Sequence, residues 1–440
     1  MIFFQKCLFF HNCLIILRIP LIITEKISEH SKFQKFPPEC YTLNMDKIDE
    51  LLTRGVEKIY PSRDALGGVL RSGKKLKLYQ GFDPTGTKLH IGHMVGLRKL
   101  AAWQALGHHV IFLIGDGTGQ AGDPSGKTTA RDKFHTREEL RQNAKDYVMQ
   151  AKSIIKFDGG NPVEILYNGD WLNKLKLVDI LNIAENFSLQ QLAERDLFRE
   201  RMKKGETVNL REFLYPLLQG YDSVAMNVDL EIGGSDQTFN MLTGRALMKG
   251  MLKKEKFVMT LPLLVDKSGK KIGKTEGNVI ALDDEADKIF GAVMAFPDEV
   301  IIKCFECLTT VPIAEVEKKK DAIKKGENPM VYKKELALAI VTDLHDKKSA
   351  EKAAQNFSDT FQKKEIPDKM DEIQAKKDEP LGDLLVKNKI LPSKSEWKRL
   401  IFGNAVHDLE RSKTITDPDF KIEQELTLKV GKKRFIKINL

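Results

Sequence analysis

Two histidines three residues apart, His90 and His93, are the first side chains of the sequence whose spacing suggests chemistry. They stand where a short apolar run gives way to a helical pattern, and at this spacing both rings lie on one face of a helix. The amino-terminal end of a helix carries partial positive charge, so the pair could hold a phosphate. Gly92 between them leaves open backbone on which a flat base could lie. Alone, the spacing is common by chance.

A second basic segment lies far downstream, at residues 270–278, with the sequence Lys-Lys-Ile-Gly-Lys-Thr-Glu-Gly-Asn. It follows an apolar run at residues 261–265, and its glycines are typical of a loop. An exposed basic loop without a function would have the same composition. The presence of both elements in one chain nevertheless strengthens the phosphate interpretation of the two histidines.

Two further segments match phosphate-binding motifs, and both fit poorly. Residues 117–122 have the spacing G-x-G-x-x-G, and residues 121–128 approach a Walker A motif with alanine in the first glycine position. A Walker loop aims backbone N–H groups at the phosphate, but Pro124 lacks this donor and Asp123 adds a carboxylate. The first motif also lacks a ribose-binding acid at the expected distance. A carboxylate here suits an amino group better.

Residues 90–93 and 271–275 together resemble the two signature motifs of class I aminoacyl-tRNA synthetases, His-Ile-Gly-His and Lys-Met-Ser-Lys-Ser. The second motif departs from the consensus as Lys-Ile-Gly-Lys-Thr, but both lysines are kept. The resemblance narrows to tyrosyl-tRNA synthetases of the bacterial or organellar type, and it covers the chain from about Met45 to the end. The segments that carry the narrower resemblance are residues 81–85, 122–127, 215–222 and 233–237.

The resemblance implies a reaction in two steps. The carboxylate of tyrosine attacks the α-phosphorus of ATP and releases pyrophosphate, and the tyrosyl group of the adenylate then passes to the terminal adenosine of tRNA(Tyr). Neither step needs a nucleophile from the enzyme, so catalysis rests on positioning and on stabilising the charge of the phosphates. Mg²⁺ is expected to arrive with ATP, without a metal site in the protein and without a bound prosthetic group.

The resemblance also implies roles for individual residues. A tyrosine pocket must satisfy a phenolic O–H that both donates and accepts, and Tyr79 with Asp222 can do this. The residues expected around tyrosine are Tyr79, Asp123, Asn168, Tyr215, Gln219 and Asp222. The residues expected in catalysis at the phosphates are Thr85, His90, His93, Lys271, Lys274 and Thr275. The residues expected to bind ATP or the adenylate are Gln80, Gly81, Asp83, Gly92, Lys127, Arg131, Gly233, Asp236, Gln237 and Lys274.

Apolar runs and helical periodicities alternate over the first part of the chain, which predicts a Rossmann-like α/β domain with a parallel sheet at residues 45–280. An amphipathic helix with Ile48, Leu51, Leu52, Val56 and Ile59 is expected to open it. The predicted strands are residues 78–82, 109–114, 163–167 and 228–232, and the predicted helices are residues 91–106, 137–155 and 171–187. Residues 281–370 predict an α-helical domain, in which Cys304 and Cys307 are expected on a buried helix face rather than at a zinc ion.

Residues 375–440 predict a small α+β domain. Two helices, beginning at residues 381 and 393, precede short alternating strands, and the segment from residue 381 carries 13 basic and 8 acidic residues. The pattern resembles an RNA-binding domain shared with a ribosomal small-subunit protein. It departs from that family at residues 388–389 and 407–408. Lys394, Lys398 and Arg399 are its expected tRNA contacts.

The whole chain has 440 residues, with 71 Lys and Arg against 62 Asp and Glu, and five Cys. This composition excludes a membrane protein, a disordered chain and a disulfide framework, and it predicts a reducing compartment. Residues 1–44 differ in character from the rest and resemble neither a signal peptide nor a transit peptide. They are therefore expected to be an extension, with the true start at Met45. The expected location is the cytoplasm, with an organellar matrix left open.

Homodimerisation is implied by the resemblance alone. Three alternative functions stay open at this point: a tryptophanyl-tRNA synthetase, a nucleotidyltransferase with a similar histidine pair, and a synthetase-like RNA-binding protein without activity. The pocket of a tryptophan enzyme would not need Tyr79 together with Asp222, and a nucleotidyltransferase would not need the helical and carboxyl-terminal domains. An inactive relative would have lost the histidines or the loop lysines, all of which are present.

Overall fold

A computed structural model describes the protein at residues 46–125, 134–193, 196–269, 271–272, 274–275, 278–359, 370–411, 413–431 and 434–440. The side chains of residues 196–197, 274–275 and 278 are not part of this description. The predicted extension at residues 1–44 and the start at Met45 lie outside the described residues. So do Lys127 and Arg131.

A six-stranded sheet surrounded by helices forms the first part of the described chain. Its helices are α1 (Lys47–Thr53), α2 (Arg63–Arg71), α3 (Ile91–Ala105), α4 (Thr118–Ala121), α5 (Arg137–Ala151), α6 (Gly169–Leu172), α7 (Leu177–Ala184), α8 (Leu189–Ala193), α9 (Asp196–Lys203), α10 (Leu210–Met226) and α11 (Thr238–Leu252). Its strands are β1 (Lys58–Tyr60), β2 (Lys77–Phe82), β3 (His109–Ile114), β4 (Glu164–Tyr167), β5 (Leu230–Gly234) and β6 (Phe257–Leu261). A short hairpin, β7 (Lys274–Thr275) and β8 (Asn278–Val279), follows.

The strand order is β1-β6-β5-β2-β3-β4, and all neighbours are parallel except the edge strand β1, which is antiparallel to β6. Helices cover both faces, because alternate residues of β3 enter two different cores: Phe112 packs in one cluster and Ile111 in another. The parallel α/β prediction is therefore confirmed. The carboxyl ends of β2, β3, β4 and β5 meet at one edge, where ligands bind in such sheets.

Three predicted helices have different bounds in the structure. The first ends at Thr53 because Gly55 turns the chain with a φ of +57°, and Ile59 lies on β1 instead. The helix predicted to reach residue 155 ends at Ala151, although Ile155 is fully buried beyond it. The continuous helix predicted at residues 171–187 is wrong. It is divided into α6 and α7, and Asp179 caps the backbone of Lys176 to start the second helix.

The following described segment, residues 281–359, consists mainly of helices joined by turns. Its helices are α12 (Ala286–Met294), α13 (Ile301–Leu308), α14 (Ile313–Lys324), α15 (Pro329–Leu344) and α16 (Lys347–Phe357). Cys304 and Cys307 are buried on α13 as free thiols, which confirms the helix-face prediction. One hydrophobic core joins these helices to one face of the sheet. No helix in the described ranges is long and apolar enough to cross a bilayer.

The carboxyl-terminal part has its own sheet and its own core. Its elements are β9 (Asp371–Gln374), α17 (Leu381–Lys387), α18 (Lys394–Phe402), β10 (Val406–Asp408), β11 (Lys413–Thr414), β12 (Leu426–Val430) and β13 (Arg434–Asn439). The sheet order is β11-β10-β12-β13-β9, and β9 is parallel to β13. This strand, which the sequence did not predict, begins before the expected boundary at residue 375. A separate cluster that includes Leu381, Trp397 and Ile436 fills the core.

Candidate active site

His90 and His93 form the amino-terminal cap of α3. The backbone N–H of His90 donates to Nδ1 of His93 at 3.0 Å, and the backbone N–H of Gly92 donates to Nδ1 of His90 at 3.1 Å. The two rings stack with their centroids 3.9 Å apart. Because each Nδ1 accepts a hydrogen bond, the hydrogen of each neutral ring resides on Nε2. The pair thus carries two N–H donors at a helix start, which suits an anion.

Gly92 packs closely against the ring of His90, a contact that the sequence did not predict. A Cβ at this position would lie 2.9 Å from Cε1 of His90 and 3.0 Å from its Nδ1. A side chain at this position would press on the ring of His90, so glycine suits the orientation in which this ring caps the helix. That a flat base lies on the backbone at Gly92 stays a prediction.

Asp83 follows the end of β2 and joins two other elements. Its carboxylate accepts from the hydroxyl of Tyr215 on α10 at 2.9 Å and from the hydroxyl of Thr118 on α4 at 2.7 Å. Burial raises the pKa of Tyr215 well above its ordinary value, and the charges of Asp83 and Asp123 raise it further. Tyr215 therefore stays a neutral hydroxyl. Two expected groups, Tyr215 for tyrosine and Asp83 for ATP, are in direct contact.

Asp222 is a buried carboxylate with two fixed donors. It is 1% exposed, and it accepts from Nδ2 of Asn168 at 3.0 Å and from Nε1 of Trp171 at 2.8 Å. Burial raises the pKa of Asp222 well above its ordinary value, while these two hydrogen bonds oppose the rise. Each carboxylate oxygen has a second lone pair, so Asp222 can still accept from a ligand hydroxyl.

The hydroxyl of Tyr79 lies 2.9 Å from Oγ of Ser223, the residue next to Asp222 on α10. Tyr79 is 1% exposed, and burial raises the pKa of its hydroxyl well above the ordinary value, with the charges of Glu231 and Asp222 adding to the rise. Tyr79 and Asp222, expected to bind one phenol together, thus belong to the same small region. Each has a different protein partner.

The remaining acceptors line the same edge of the sheet. Asp123 is half-buried and accepts from Nε2 of Gln237 at 2.8 Å. Gln219 donates through Nε2 to Glu231 at 3.0 Å, and its buried Oε1 has no partner among the described residues. The same holds for Oε1 of Gln80, whose amide packs on Gly96 of α3.

The remaining predicted residues differ in how exposed they are. Thr85 and Gly81 are exposed, and Lys271 reaches Asp236 with its ammonium 3.0 Å from a carboxylate oxygen. Gly233 is buried on β5, where a Cβ would lie 3.0 Å from the sulfur of Met241. The side chains of Lys274 and Thr275, with Lys127 and Arg131, lie outside the described part of the structure.

Glycines at and just before the motif at residues 117–122 have a packing reason in the structure. Its first residues bring the backbone N–H of Gly117 within 2.8 Å of Oδ1 of Asn168. A Cβ on Gly115, just before the motif, would overlap Asp83, and one on Gly117 would press on Asn168. The glycines therefore allow the chain to pass closely between two site residues.

Several residues of this network were missed from the sequence. Asp116 is fully buried and accepts from Nε of Arg137 at 2.8 Å, from Nε of Arg141 at 2.7 Å and from the backbone N–H of Gly169 at 2.7 Å. These contacts fix the turn that carries Asn168. Thr118, Trp171, Ser223 and Glu231 were missed as well. Of these four residues only Ser223 lies directly beside an expected residue, Asp222.

The three expected tRNA contacts lie together on the exposed side of α18. Lys394 forms an ion pair with Asp383 at 2.7 Å, Arg399 pairs with Glu396 at 2.7 Å, and Lys398 is exposed. Exposed pairs of this kind contribute little stability, so the cations can exchange their partners for phosphates.

Comparison with known proteins identifies the family. The model of a family described as tRNA synthetases class I (W and Y) matches residues 71–362. The tyrosine–tRNA ligase of Thermotoga maritima is 39% identical over 395 residues, which cover 89% of this chain and 96% of that protein. The tyrosine–tRNA ligase of Dehalococcoides mccartyi is 38% identical over 396 residues, with 89% and 98% covered.

Solved structures agree with these relatives. A C-terminally truncated mitochondrial tyrosyl-tRNA synthetase of Aspergillus nidulans has a TM-score of 0.61 at 25% identity and covers 72% of this chain and 94% of its own. A tyrosyl-tRNA synthetase of Archaeoglobus fulgidus, solved with L-tyrosine, has a TM-score of 0.55 at 20% identity, with 70% and 100% covered, which shows the shared fold.

The fold and the family model define an aminoacyl-tRNA synthetase of class I. Within that class, the chain belongs to the tyrosine–tRNA ligase family. The predicted family, fold class and enzyme class are thereby confirmed.

Proposed function

We propose that the edge of the sheet around Asp222, Tyr215 and His90 is where this ligase binds L-tyrosine and ATP, forms tyrosyl-adenylate and pyrophosphate, and transfers tyrosine to tRNA(Tyr). One observation carries the proposal. Asp222 is buried, its two donors Asn168 and Trp171 fix its orientation, and a free lone pair on each oxygen leaves it able to accept a phenolic hydrogen.

The tyrosine end of the site is built from neutral and anionic acceptors. In the proposal Asp222 accepts the phenolic hydrogen of tyrosine, and Tyr79 donates to the phenolic oxygen. The ammonium of the substrate meets Asp123, the hydroxyl oxygen of Tyr215 and Oε1 of Gln219. The buried Oε1 of Gln219, which has no partner among the described residues, supports this assignment, because a buried acceptor without a donor costs free energy until a ligand satisfies it.

The ATP end of the site is cationic and rich in donors. We assign the Nε2–H groups of His90 and His93 to the phosphates of ATP, together with Thr85, Lys127 and Arg131. The loop that carries Lys271, Lys274 and Thr275 is proposed to close over the departing pyrophosphate. Negative charge that develops on the phosphates would then meet donors that are already in place, and such preorganised donors lower the activation barrier. Gln80, Gly81, Asp83, Gly92, Gly233, Asp236 and Gln237 are assigned to the adenosine and ribose of ATP and to the adenylate.

Mg²⁺ is proposed to enter as part of the MgATP substrate. Within the described residues no three His, Cys, Asp or Glu side chains cluster as metal ligands. The phosphate oxygens would then bind the ion, and the protein donors would balance the negative charge that remains on the phosphates.

We further propose the domain division at residues 45–280, 281–370 and 375–440, with the last domain extended to include β9, and tRNA contacts through Lys394, Lys398 and Arg399. The separate core of the carboxyl-terminal sheet supports an independent RNA-binding domain. The cytoplasm is the proposed location, with an organellar matrix as the alternative. The bacterial source of the relatives and the buried free thiols Cys304 and Cys307 support a reducing compartment.

A homodimer is proposed on the evidence of an exposed apolar surface. Large apolar side chains concentrate on α7 and its neighbours, with Leu177 73%, Val178 56%, Leu181 58%, Leu189 66% and Leu210 72% exposed. Such a concentration on a monomer surface is typical of an interface. Sedimentation of the full chain tests it: a dimer is expected, and Leu177→Asp with Leu181→Asp should give monomers.

Asp222→Ala in the tyrosine-dependent ATP–pyrophosphate exchange assay tests the site assignment. Exchange is expected to fall by at least a hundredfold while the protein stays folded. Asp408→Ala is the matched control, because Asp408 is also a buried carboxylate with hydrogen-bond donors, but in the carboxyl-terminal domain. Normal exchange in a folded Asp222→Ala protein would contradict the assignment.

A further inference from the structure

A buried ion pair lies behind the tyrosine end of the site, and the reaction described above does not use it. Lys256, just before β6, pairs with Glu231 on β5, and the two side chains are 0% and 2% exposed. Burial lowers the pKa of Lys256, while the charge of Glu231 opposes the fall. A buried pair of this kind gives little net stability, because two charges must leave water. Its presence therefore needs another reason.

Two glycines on the neighbouring helices α10 and α11 leave space for this pair. A Cβ on Gly244 of α11 would lie 2.5 Å from the ammonium of Lys256 and 2.9 Å from Oγ of Ser223. A Cβ on Gly220 of α10 would lie 3.1 Å from the backbone nitrogen of Gly244. The two glycines thus let α10 and α11 approach closely around the ammonium group.

Glu231, the acidic member of the pair, contacts Gln219. Oε1 of Glu231 lies 3.0 Å from Nε2 of Gln219. A carboxylate can only accept, so the amide nitrogen of Gln219 must face Glu231 and its carbonyl oxygen must face away. That oxygen is the buried, unpartnered acceptor assigned above to the substrate ammonium. Glu231 thereby decides which atom of Gln219 the substrate meets.

Lys256, the basic member of the pair, is connected to Tyr79 through Ser223. The ammonium of Lys256 lies 2.8 Å from Oγ of Ser223, and because an ammonium can only donate, Ser223 accepts from it. The hydroxyl hydrogen of Ser223 is then available for Tyr79 at 2.9 Å or for Glu231 at 3.5 Å, and the shorter contact is favoured. When Ser223 donates to Tyr79, the hydrogen of Tyr79 can point at the substrate.

We propose that Lys256 and Glu231 are positioning residues for tyrosine recognition: Glu231 orients the amide of Gln219 toward the ammonium, and Lys256 acts through Ser223 to orient the hydroxyl of Tyr79 toward the phenol. The inference rests on the tyrosine site proposed above. It assigns one buried pair to both polar ends of the same substrate.

Two variants separate this role from a structural one in the exchange assay. Ser223→Ala breaks the link to Tyr79 but leaves the ion pair intact, and it is expected to raise the KM for tyrosine about tenfold. Because it acts on the phenol end, the preference for tyrosine over phenylalanine should fall by a similar factor. The double variant Lys256→Met with Glu231→Gln removes both charges together, so no unpaired charge is buried. It is expected to raise the KM for tyrosine tenfold to a hundredfold, with the KM for ATP unchanged.

Lys99→Met is the matched control, because Lys99 is a buried lysine that donates to the backbone oxygens of Leu51 and Arg54, away from the tyrosine site. Its KM for tyrosine should stay within twofold of that of the unmodified enzyme. Two results would overturn the inference: an unchanged KM for tyrosine in both variants, or equal losses for tyrosine and ATP. An unmodified enzyme without tyrosine-dependent exchange would instead refute the proposed site.

Discussion

Trp171→Phe should shift the pH dependence of tyrosine activation. The indole N–H donates to the buried carboxylate of Asp222 at 2.8 Å, and it favours the ionised form. A hydrogen bond to a charged group contributes about 1.5 to 3 kcal/mol. Since one pKa unit corresponds to about 1.4 kcal/mol, its loss should raise the pKa of Asp222 by about one to two units. The acid side of the activity profile should move upward by the same amount, because a protonated Asp222 accepts more weakly from the phenol.

The assay is kcat/KM for tyrosine in ATP–pyrophosphate exchange between pH 5 and 9. Trp397→Phe is the control, since its indole also donates at 2.8 Å, but to the neutral carbonyl of Pro418 in the carboxyl-terminal domain. That variant should keep the profile of the unmodified enzyme. A Trp171→Phe protein whose acid side does not move, although its activity at high pH is retained, would refute the role given to Asp222.

Three further predictions concern other parts of the molecule. Burial, with the Lys75 charge adding to it, lowers the pKa of His108 to about 4. The unfolded chain binds a proton near pH 6.5 and the native ring does not, so the free energy of unfolding decreases as the pH is lowered from about 6.5 to about 4. Between pH 7.5 and 4.5, His108→Gln should lose about 2 to 3 kcal/mol less unfolding free energy than the unmodified protein, as measured by urea unfolding. The same pH dependence in both proteins would contradict this. Lys274→Ala should lower kcat of activation and spare tyrosine binding, whereas a large rise in the tyrosine Kd at unchanged kcat would refute its role. Removal of residues 370–440 should leave exchange near normal and lower tRNA charging by orders of magnitude, and equal losses would argue against a separate RNA-binding domain.

Much of the fold could be predicted because apolar runs and their periodicity are local properties. Strand β3 is an uninterrupted apolar run since both faces of the sheet are covered, and this was visible in the sequence. The break between α6 and α7 was not, because the apolar pattern continues across it through Leu177 and Leu181, which are exposed in the described chain. Strand β9 is mostly exposed and polar, and only its pairing with β13 makes it a strand.

The candidate site could be predicted only through the resemblance, since its partners are far apart in sequence. Asp222 lies 51 residues from Trp171, and Tyr215 lies 132 residues from Asp83. Ser223 and Glu231 have no spacing that marks them, and their relation to Tyr79 arises from the packing of α10 against the sheet. The packing reason for Gly115 and Gly117 could be recognised only once the positions of Asp83 and Asn168 were known.

Amino-acid specificity of ATP–pyrophosphate exchange by the full chain tests the central claim most directly. With L-tyrosine, L-phenylalanine and L-tryptophan offered separately, we expect exchange with tyrosine alone, because the acceptor Asp222 and the hydroxyl of Tyr79 are satisfied only by a phenol. The same protein should then transfer tyrosine to tRNA(Tyr). Exchange supported by tryptophan, or by none of the three amino acids in a folded protein, would contradict the account.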